Sequence, residues 1–253
     1  LPVDIQQIRN ATLVVTYANQ VFLIDPFLGE KGSLPPFGET PNAVPNPLVD
    51  LPVDVSTLLD PDAIFVTHLH ADHFDETAKE ILPKQIPLYA QNQADAATIR
   101  EAGFTNVSSF ENGLALGDIH VYHTSGRHGV GEIGQRMGTV SGLVLTHPDE
   151  PTLYIAGDTI WCEEVETAIE QHAPDIIIVN SGAAQFLTGE PITMSQRDLL
   201  AVHQAAAEAT IIVSHLESVN HCLLRRDMIA DFLAAHHLSA HFLIPDDGET
   251  ISF

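Results

Sequence analysis

Short apolar runs, each closed by a polar or glycine-bearing turn, set the rhythm of this chain. Residues 11–16 (ATLVVT) and 20–25 (QVFLID) predict two strands about the turn Tyr17-Ala18-Asn19. Ala63-Ile64-Phe65-Val66 is apolar without a break and predicts a buried strand. Residues 175–180 (DIIIVN) predict another, covered on both faces. Further strands are expected at 86–90, 107–110, 119–124, 210–214 and 241–244, with a short one at the end. Residues 141–146 and 152–156 read as a hairpin joined by the turn 147–151. Helical patterns begin at Phe74 (FDETAKEIL) and span 93–102, stopped by Gly103. Others span 161–172, 196–208 behind a Ser195 cap, and 223–235. Strands alternating with helices make an α/β fold. The segment 125–138 (SGRHGVGEIGQRMG) reads as a glycine-rich loop able to wind close to a site.

Between residues 29 and 62 this rhythm stops. Pro35, Pro36, Pro41, Pro45, Pro47, Pro52 and Pro61 fall there, and Gly29, Gly32 and Gly38 punctuate its start. A stretch this long without elements is usually functional or disordered. Phe37, Leu48, Val49 and Leu51 are too apolar for disorder. The stretch reads as an ordered flap near the mouth of a site. A passive surface excursion and a dimer contact, which would make a homo-oligomer, are the alternatives. No repeat, low-complexity tract or linker divides the chain, so residues 1–253 read as a single domain.

Composition narrows the partners. Apolar residues make up 45% of 253, enough for a substantial core. No apolar run reaches the roughly 18 residues of a membrane span, so no membrane partner is expected. Lys and Arg total 10 against 34 Asp and Glu, a formal charge of 10 − 34 = −24. Such a surface repels phosphate backbones, so nucleic acid is not an expected partner. Cys162 and Cys222 do not make a disulfide framework, though a bond between them is open. The opening residues, VDIQQIRNATLVVTY, do not resemble a signal peptide, and a cytoplasmic location is the default. The first residue is Leu1 rather than Met, which leaves open what precedes it.

Chemistry concentrates in Thr67-His68-Leu69-His70-Ala71-Asp72-His73. The cluster follows the apolar run 63–66 and precedes a helix, so it occupies the carboxyl end of a strand, where α/β folds place their sites. Neutral imidazole and carboxylate are ligands for borderline divalent metals such as zinc. Four such groups on one turn can face two adjacent metal positions. Asp158 follows the strand 152–156, behind Gly157, which lets the backbone turn sharply. His215 closes the strand 210–214. No Ser-His-Asp arrangement stands out.

His68-x-His70-x-Asp72-His73 resembles the signature of the metallo-β-lactamase superfamily. Arg127-His128-Gly129, Gly157-Asp158-Thr159 and Val213-Ser214-His215 resemble that family's later ligand segments, in the same order. The chain looks most like the branch that includes ascorbate-6-phosphate lactonase. The resemblance implies a four-layer αββα sandwich with the ligands gathered at one edge. It implies that His68, His70 and His128 hold one divalent ion, that Asp72, His73 and His215 hold a second, and that Asp158 bridges them. Zinc is expected, with manganese or iron as alternatives. His128 is preferred to His123 because its neighbours match the family pattern and it stands on the loop. Asp25, at a strand end, is expected to hydrogen-bond a ligand histidine. Asn180 ends a buried strand, and the segment 180–186, from Asn180 to Phe186, lies where substrate groups are usually presented. His221 either touches substrate or caps the following helix. Trp161 stands where acyl-homoserine lactone hydrolases carry a tyrosine, so the resemblance implies a place beside the substrate or the ligands; its indole can donate one N–H but cannot act as an acid.

The resemblance implies a metal-dependent hydrolase. Two ions lower the pKa of a shared water, and the resulting hydroxide attacks a small-molecule ester, foremost a lactone. Asp72 and Asp158 are the expected catalytic carboxylates. Phosphoester or phosphodiester hydrolysis, single-iron sulfur dioxygenase chemistry and a non-catalytic metal-binding scaffold are the alternatives. The charge argues against the superfamily's nucleases, and nothing specific supports a β-lactamase.

Overall fold

The computed structural model describes residues 2–253 and contains two sheets of seven strands each. The first opens with an antiparallel meander of β1 (Asp4–Arg9), β2 (Thr12–Tyr17) and β3 (Gln20–Ile24). It continues in parallel through β4 (Ala63–Val66), β5 (Leu88–Ala90) and β6 (Val107–Ser109). The second sheet runs antiparallel through β7 (Leu114–Leu116), β8 (Ile119–Ser125), β9 (Ser141–His147) and β10 (Glu150–Ile155). It then runs parallel through β11 (Ile176–Asn180), β12 (Thr210–Ser214) and β13 (Phe242–Leu243). A last strand, β14 (Thr250–Ser252), returns to pair with β1.

Among the described residues, six helices occupy the connections: α1 (Glu76–Ile81), α2 (Gln93–Glu101), α3 (Gly131–Met137), α4 (Glu163–His172), α5 (Gln196–Ala205) and α6 (Arg226–Ala235). Side-chain oxygens of Asp75, Asn92 and Ser195 accept backbone N–H groups at the starts of α1, α2 and α5. Ser195 and Asp198 form a reciprocal capping box.

Strand alternation sorts the layers. Ala63 and Phe65 of β4 point between the sheets, into a core shared with Val15, Phe22, Leu143 and Ile155. Ile64 and Val66 point the other way, under Ala78 of α1 and Ile99 of α2. Ile176 and Ile178 of β11 join the inner core, while Ile177 and Val179 pack on Val165, Leu199 and Ile229 of α4, α5 and α6. Both strands are covered on both faces, which is why their sequences are apolar without a break. The four-layer αββα sandwich implied by the resemblance is the architecture observed.

Several expectations need correction. β1 escaped the pattern because it carries Gln6, Gln7 and Arg9. Gln7 is buried but satisfied: its Oε1 accepts from Ser214 Oγ at 2.7 Å, and its Nε2 donates to the Asn10 carbonyl at 2.8 Å. α3 lies inside the segment read wholly as loop, and it buries no residue, so it has no apolar stripe to read. The short β7 was also missed. The helices expected from residues 161 and 223 start at Glu163 and Arg226, and the one expected to 208 ends at Ala205. The expected turn 147–151 is shorter, because β9 reaches His147 and β10 starts at Glu150. Cys162 and Cys222 are both buried free thiols.

Residues 29–62 hold a single bridge, Leu34 to Asn46, and a 3₁₀ turn, Val55–Leu58. Hydrogen bonds replace regular structure. The buried Arg9 guanidinium donates to the carbonyls of Phe27 (2.7 Å), Gly29 (2.8 Å) and Val49 (3.1 Å). Asn46 and Asn220 interlock: Asn46 Nδ2 donates to Asn220 Oδ1 at 2.7 Å, and the Asn220 N–H to Asn46 Oδ1 at 2.8 Å. Among the described residues, no helix is long and apolar enough to cross a membrane.

Candidate metal centre

Strand ends supply most of the site. β4 runs into the turn 67–73, β10 into Gly157-Asp158, β12 into His215, β11 into Asn180 and β3 into Asp25. Gly157 is required: its φ is +74°, and a Cβ there would lie 2.4 Å from the Ser141 carbonyl oxygen. His215 adopts φ +64° and Asp25 φ +44°, conformations more accessible to His and Asp than to most residues.

Two groups of ligand-type side chains result. His68, His70 and His128 form one, and Asp72, His73, Asp158 and His215 the other. Within each group the ligand atoms lie within 4.8 Å of one another. Asp158 reaches both. Its Oδ2 is 3.0 Å from His73 Nε2, 3.4 Å from His128 Nε2 and 3.8 Å from His68 Nε2, while Oδ1 is 3.4 Å from His215 Nε2. His68 Nε2 and His215 Nε2 are buried without a hydrogen bond. Buried polar atoms are rarely left so, and two imidazole nitrogens aimed into a cluster of imidazole and carboxylate suit a divalent cation.

The surrounding residues fix the ligand atoms. His73 Nδ1 donates to Asp25 Oδ2 at 2.7 Å, which turns Nε2 toward the cluster. Asp25 is held in turn by the Thr67 N–H (2.7 Å to Oδ1) and the Thr67 hydroxyl (2.6 Å to Oδ2). His128 Nδ1 donates to the Ile192 carbonyl at 2.7 Å, again freeing Nε2. Asn180 Nδ2 donates to Asp158 Oδ1 at 2.8 Å, and Asn10 Nδ2 to Asp72 Oδ2 at 3.1 Å.

Charges in the cluster are strongly coupled. Burial pushes the Asp72 and Asp158 carboxyls up, but the neighbouring His73 and His215 outweigh it and hold both well below the usual range. Burial likewise pushes His73 down, but Asp158, Asp72 and Asp25 together raise it to about 10. His215 rises for the same reason, with Asp158 the main opponent of burial. His68 and His128 are lowered, chiefly by burial.

A cavity of about 210 Å³ opens on His70, Asp72, His128 and Asp158. Its remaining walls include Phe37, Met137, Phe186, Ile192 and His221, and no Lys or Arg lines it. Burial lowers His221 to about 4.

The structure thus gathers His68, His70, Asp72, His73, His128, Asp158 and His215, with Asp25 and Asn180 bonded to them and His221 in the cavity wall. Trp161 is not brought there. It packs, partly buried, on the core formed by α4, α5 and the second sheet. His123 is also apart, with Nε2 2.8 Å from Ser141 Oγ. Asn10 carries no signal in the sequence, because the polar residues of β1 hide the strand whose turn it occupies. Phe186 lies in the segment expected to present substrate groups and Met137 in the glycine-rich loop expected near the site, but the apolar character of these two and of Ile192 says nothing about which wall they form.

Comparison with known proteins agrees with this geometry. Residues 20–216 match the β-lactamase superfamily domain. The UPF0173 protein YddR of Bacillus subtilis (strain 168) is 46% identical over 99% of this chain and 100% of its own length. The crystal structure of isothiocyanate hydrolase from Delia radicum gut bacteria superimposes with a TM-score of 0.95 at 41% identity, covering 99% of both chains. That of a possible metal-dependent hydrolase from Veillonella parvula DSM 2008 gives 0.97 at 36% identity, covering 100% of both. With this fold, a His/Asp cluster able to bind metal and these relatives, the chain belongs to the β-lactamase superfamily and is one of its metal-dependent hydrolases.

Proposed function

We propose that this chain hydrolyses a small uncharged electrophile with an apolar substituent, foremost an isothiocyanate, at a centre of two divalent ions. The observation that carries this reading is the cavity: ligand-type groups form its floor, apolar side chains its walls, and no cation lines it. The 41% identity to an isothiocyanate hydrolase supports the same substrate class. His68, His70 and His128 would hold one ion, Asp72, His73 and His215 the other, with Asp158 shared between them. The donor set suits zinc, with manganese or iron as alternatives. When bound, such a pair makes water nucleophilic near neutral pH and polarises the electrophile.

The chain's own residues do the rest. Asp25 keeps the proton of His73 on Nδ1, and the Ile192 carbonyl keeps that of His128 on Nδ1. Asn180 and Asn10 hold the Asp158 and Asp72 carboxylates in place. Asp72, in the cavity wall, can hold the proton of the attacking water. The water oxygen bonds to the central carbon of N=C=S, the C=N π pair moves to nitrogen, and a water proton ends there. A thiocarbamic acid is the product of that step. Phe37 and Phe186 exclude bulk water. Residues 1–253 act as a single domain, in which 29–62 is the flap that supplies Phe37.

A lactone is the second reading, since its carbonyl carbon is open to the same attack and the same walls fit its apolar ring or chain. A phosphoester is disfavoured, because its charge finds no Lys or Arg in the cavity. The test is metal content by mass spectrometry together with turnover of benzyl isothiocyanate, a simple lactone and p-nitrophenyl phosphate. Two ions per chain and isothiocyanate turnover are expected. Turnover of the phosphate alone would overturn the reading.

A further inference from the structure

His221 lines the cavity beside the ligand groups yet belongs to neither. It is 6% exposed, and its Nδ1 is buried without a hydrogen-bond partner. A native structure rarely leaves such an atom unsatisfied without a use for it. The ring is also held. Phe186 stacks on it at 5.5 Å between centroids and 18° between planes. Phe37 meets it edge-on at 5.7 Å and 88°. The chain on either side is fixed as well: the His221 carbonyl accepts the Gln185 N–H at 3.0 Å, and Asn220 Oδ1 accepts the Phe37 N–H at 2.9 Å. Gly38 permits this closeness, since a Cβ there would lie 2.5 Å from the Phe186 ring. A polar ring is therefore set rigidly between two aromatic walls, in a cavity that has no other polar side chain outside the ligand groups.

We propose that His221 is a catalytic residue, donating a ring N–H to the heteroatom beside the attacked carbon. That atom is the nitrogen of an isothiocyanate or the ring oxygen of a lactone. The proposal rests on the hydrolase reading above, though not on which of the two substrates is right. An imidazole offers an N–H donor in either tautomer. In the isothiocyanate the C=N π pair moves onto nitrogen as the water oxygen bonds to carbon. In the lactone the carbonyl π pair first moves onto the carbonyl oxygen, and the ring C–O σ pair moves onto the ring oxygen when the tetrahedral adduct collapses. In each case charge grows on the heteroatom that the donor would serve. A donor held rigidly at developing charge favours the transition state over the ground state. The proton that the heteroatom finally gains comes from the attacking water, so the ring is unchanged over the cycle. Phe186 and Phe37 set the ring's angle and at the same time accept the substituent.

Two variants separate donor from wall. His221→Phe keeps a ring between the aromatic walls and removes the N–H, whereas His221→Gln restores a donor. Metal content, kcat and KM are measured for the metal-loaded parent and both variants with benzyl isothiocyanate and a lactone. Unchanged metal content is expected, with kcat about 10²-fold lower in His221→Phe, KM within a few-fold of the parent, and at least a tenfold recovery in His221→Gln. A His221→Phe enzyme with kcat within about threefold of the parent overturns the proposal, and so does one that loses metal. If the parent turns over the lactone alone, the isothiocyanate reading fails while His221 is judged on the lactone. If it turns over neither, thiocyanate ion is titrated into the metal-loaded parent and His221→Phe, and equal affinity overturns the proposal.

Discussion

Asp25→Asn tests whether the carboxylate behind His73 is what prepares the site for metal. Asp25 is buried and accepts three hydrogen bonds, from His73 Nδ1, the Thr67 N–H and the Thr67 hydroxyl. Alanine would strand all three donors at about 1–3 kcal/mol each. That is a large part of the roughly 5–15 kcal/mol that holds a domain together, so alanine would report on folding rather than on metal. Asparagine fits the space and tolerates the positive φ of this position. Its amide cannot satisfy both sides. With the oxygen toward Thr67, the NH₂ faces His73 Nδ1 and drives the proton to Nε2, the atom that faces Asp158 and Asp72. With the oxygen toward His73, the NH₂ opposes the Thr67 N–H. Either way the neutral Nε2 lone pair costs more to present. Removal of such a partner typically lowers metal affinity about 10–100-fold, or about 1.4–2.7 kcal/mol. The assay is competition for zinc against a chromophoric chelator, with a urea melt of the metal-free variant to confirm folding. A folded Asp25→Asn protein whose metal affinity stays within about threefold of the parent would refute the reasoning.

Metal binding at pH 7 is expected to release protons, because His73 is raised to about 10 in the metal-free protein, His215 is shifted in the same direction, and both must be neutral to bind a cation. Calorimetry in two buffers of different ionisation enthalpy reads the count, and zero release would contradict it. The same shift fixes a sign for stability. The His73 contribution is complete below its ordinary value near 6.5 and is lost as pH rises through about 10, so the metal-free protein should melt lower at pH 10 than at pH 7. His128→Ala should lose bound metal and nearly all turnover, while His123→Ala should keep its metal, since His123 bonds Ser141 away from the cluster. Metal analysis showing the reverse would reassign the ligand. Phe37→Ala should leave metal content intact and raise KM for aryl substrates about tenfold, near 1.4 kcal/mol. An unchanged substrate profile would make residues 29–62 a passive excursion.

Four of the seven ligand-type residues were legible because they are neighbours along the chain. Residues 68–73 form one turn, and local backbone geometry alone brings His68, His70, Asp72 and His73 together. The strands at 63–66 and 176–179 were legible for a related reason, since burial on both faces leaves no polar position to interrupt them. Asp158, His128 and His215 were found only through the order of resembling segments, and Asp25 from its strand end. Their distances to one another depend on how two sheets stack. The cavity walls were legible only as neighbourhoods, such as the flap that holds Phe37 and the turn that holds His221, and not as contacts. Phe37, Phe186 and His221 lie on three separate segments, and nothing in an apolar or imidazole side chain states which distant segment it will meet. The same holds for the Asn46–Asn220 interlock that seats the flap. Those contacts follow from the close packing of the whole interior, where volume and hydrogen bonding must be satisfied by every segment at once. That condition is met in three dimensions and leaves no periodic trace along the chain.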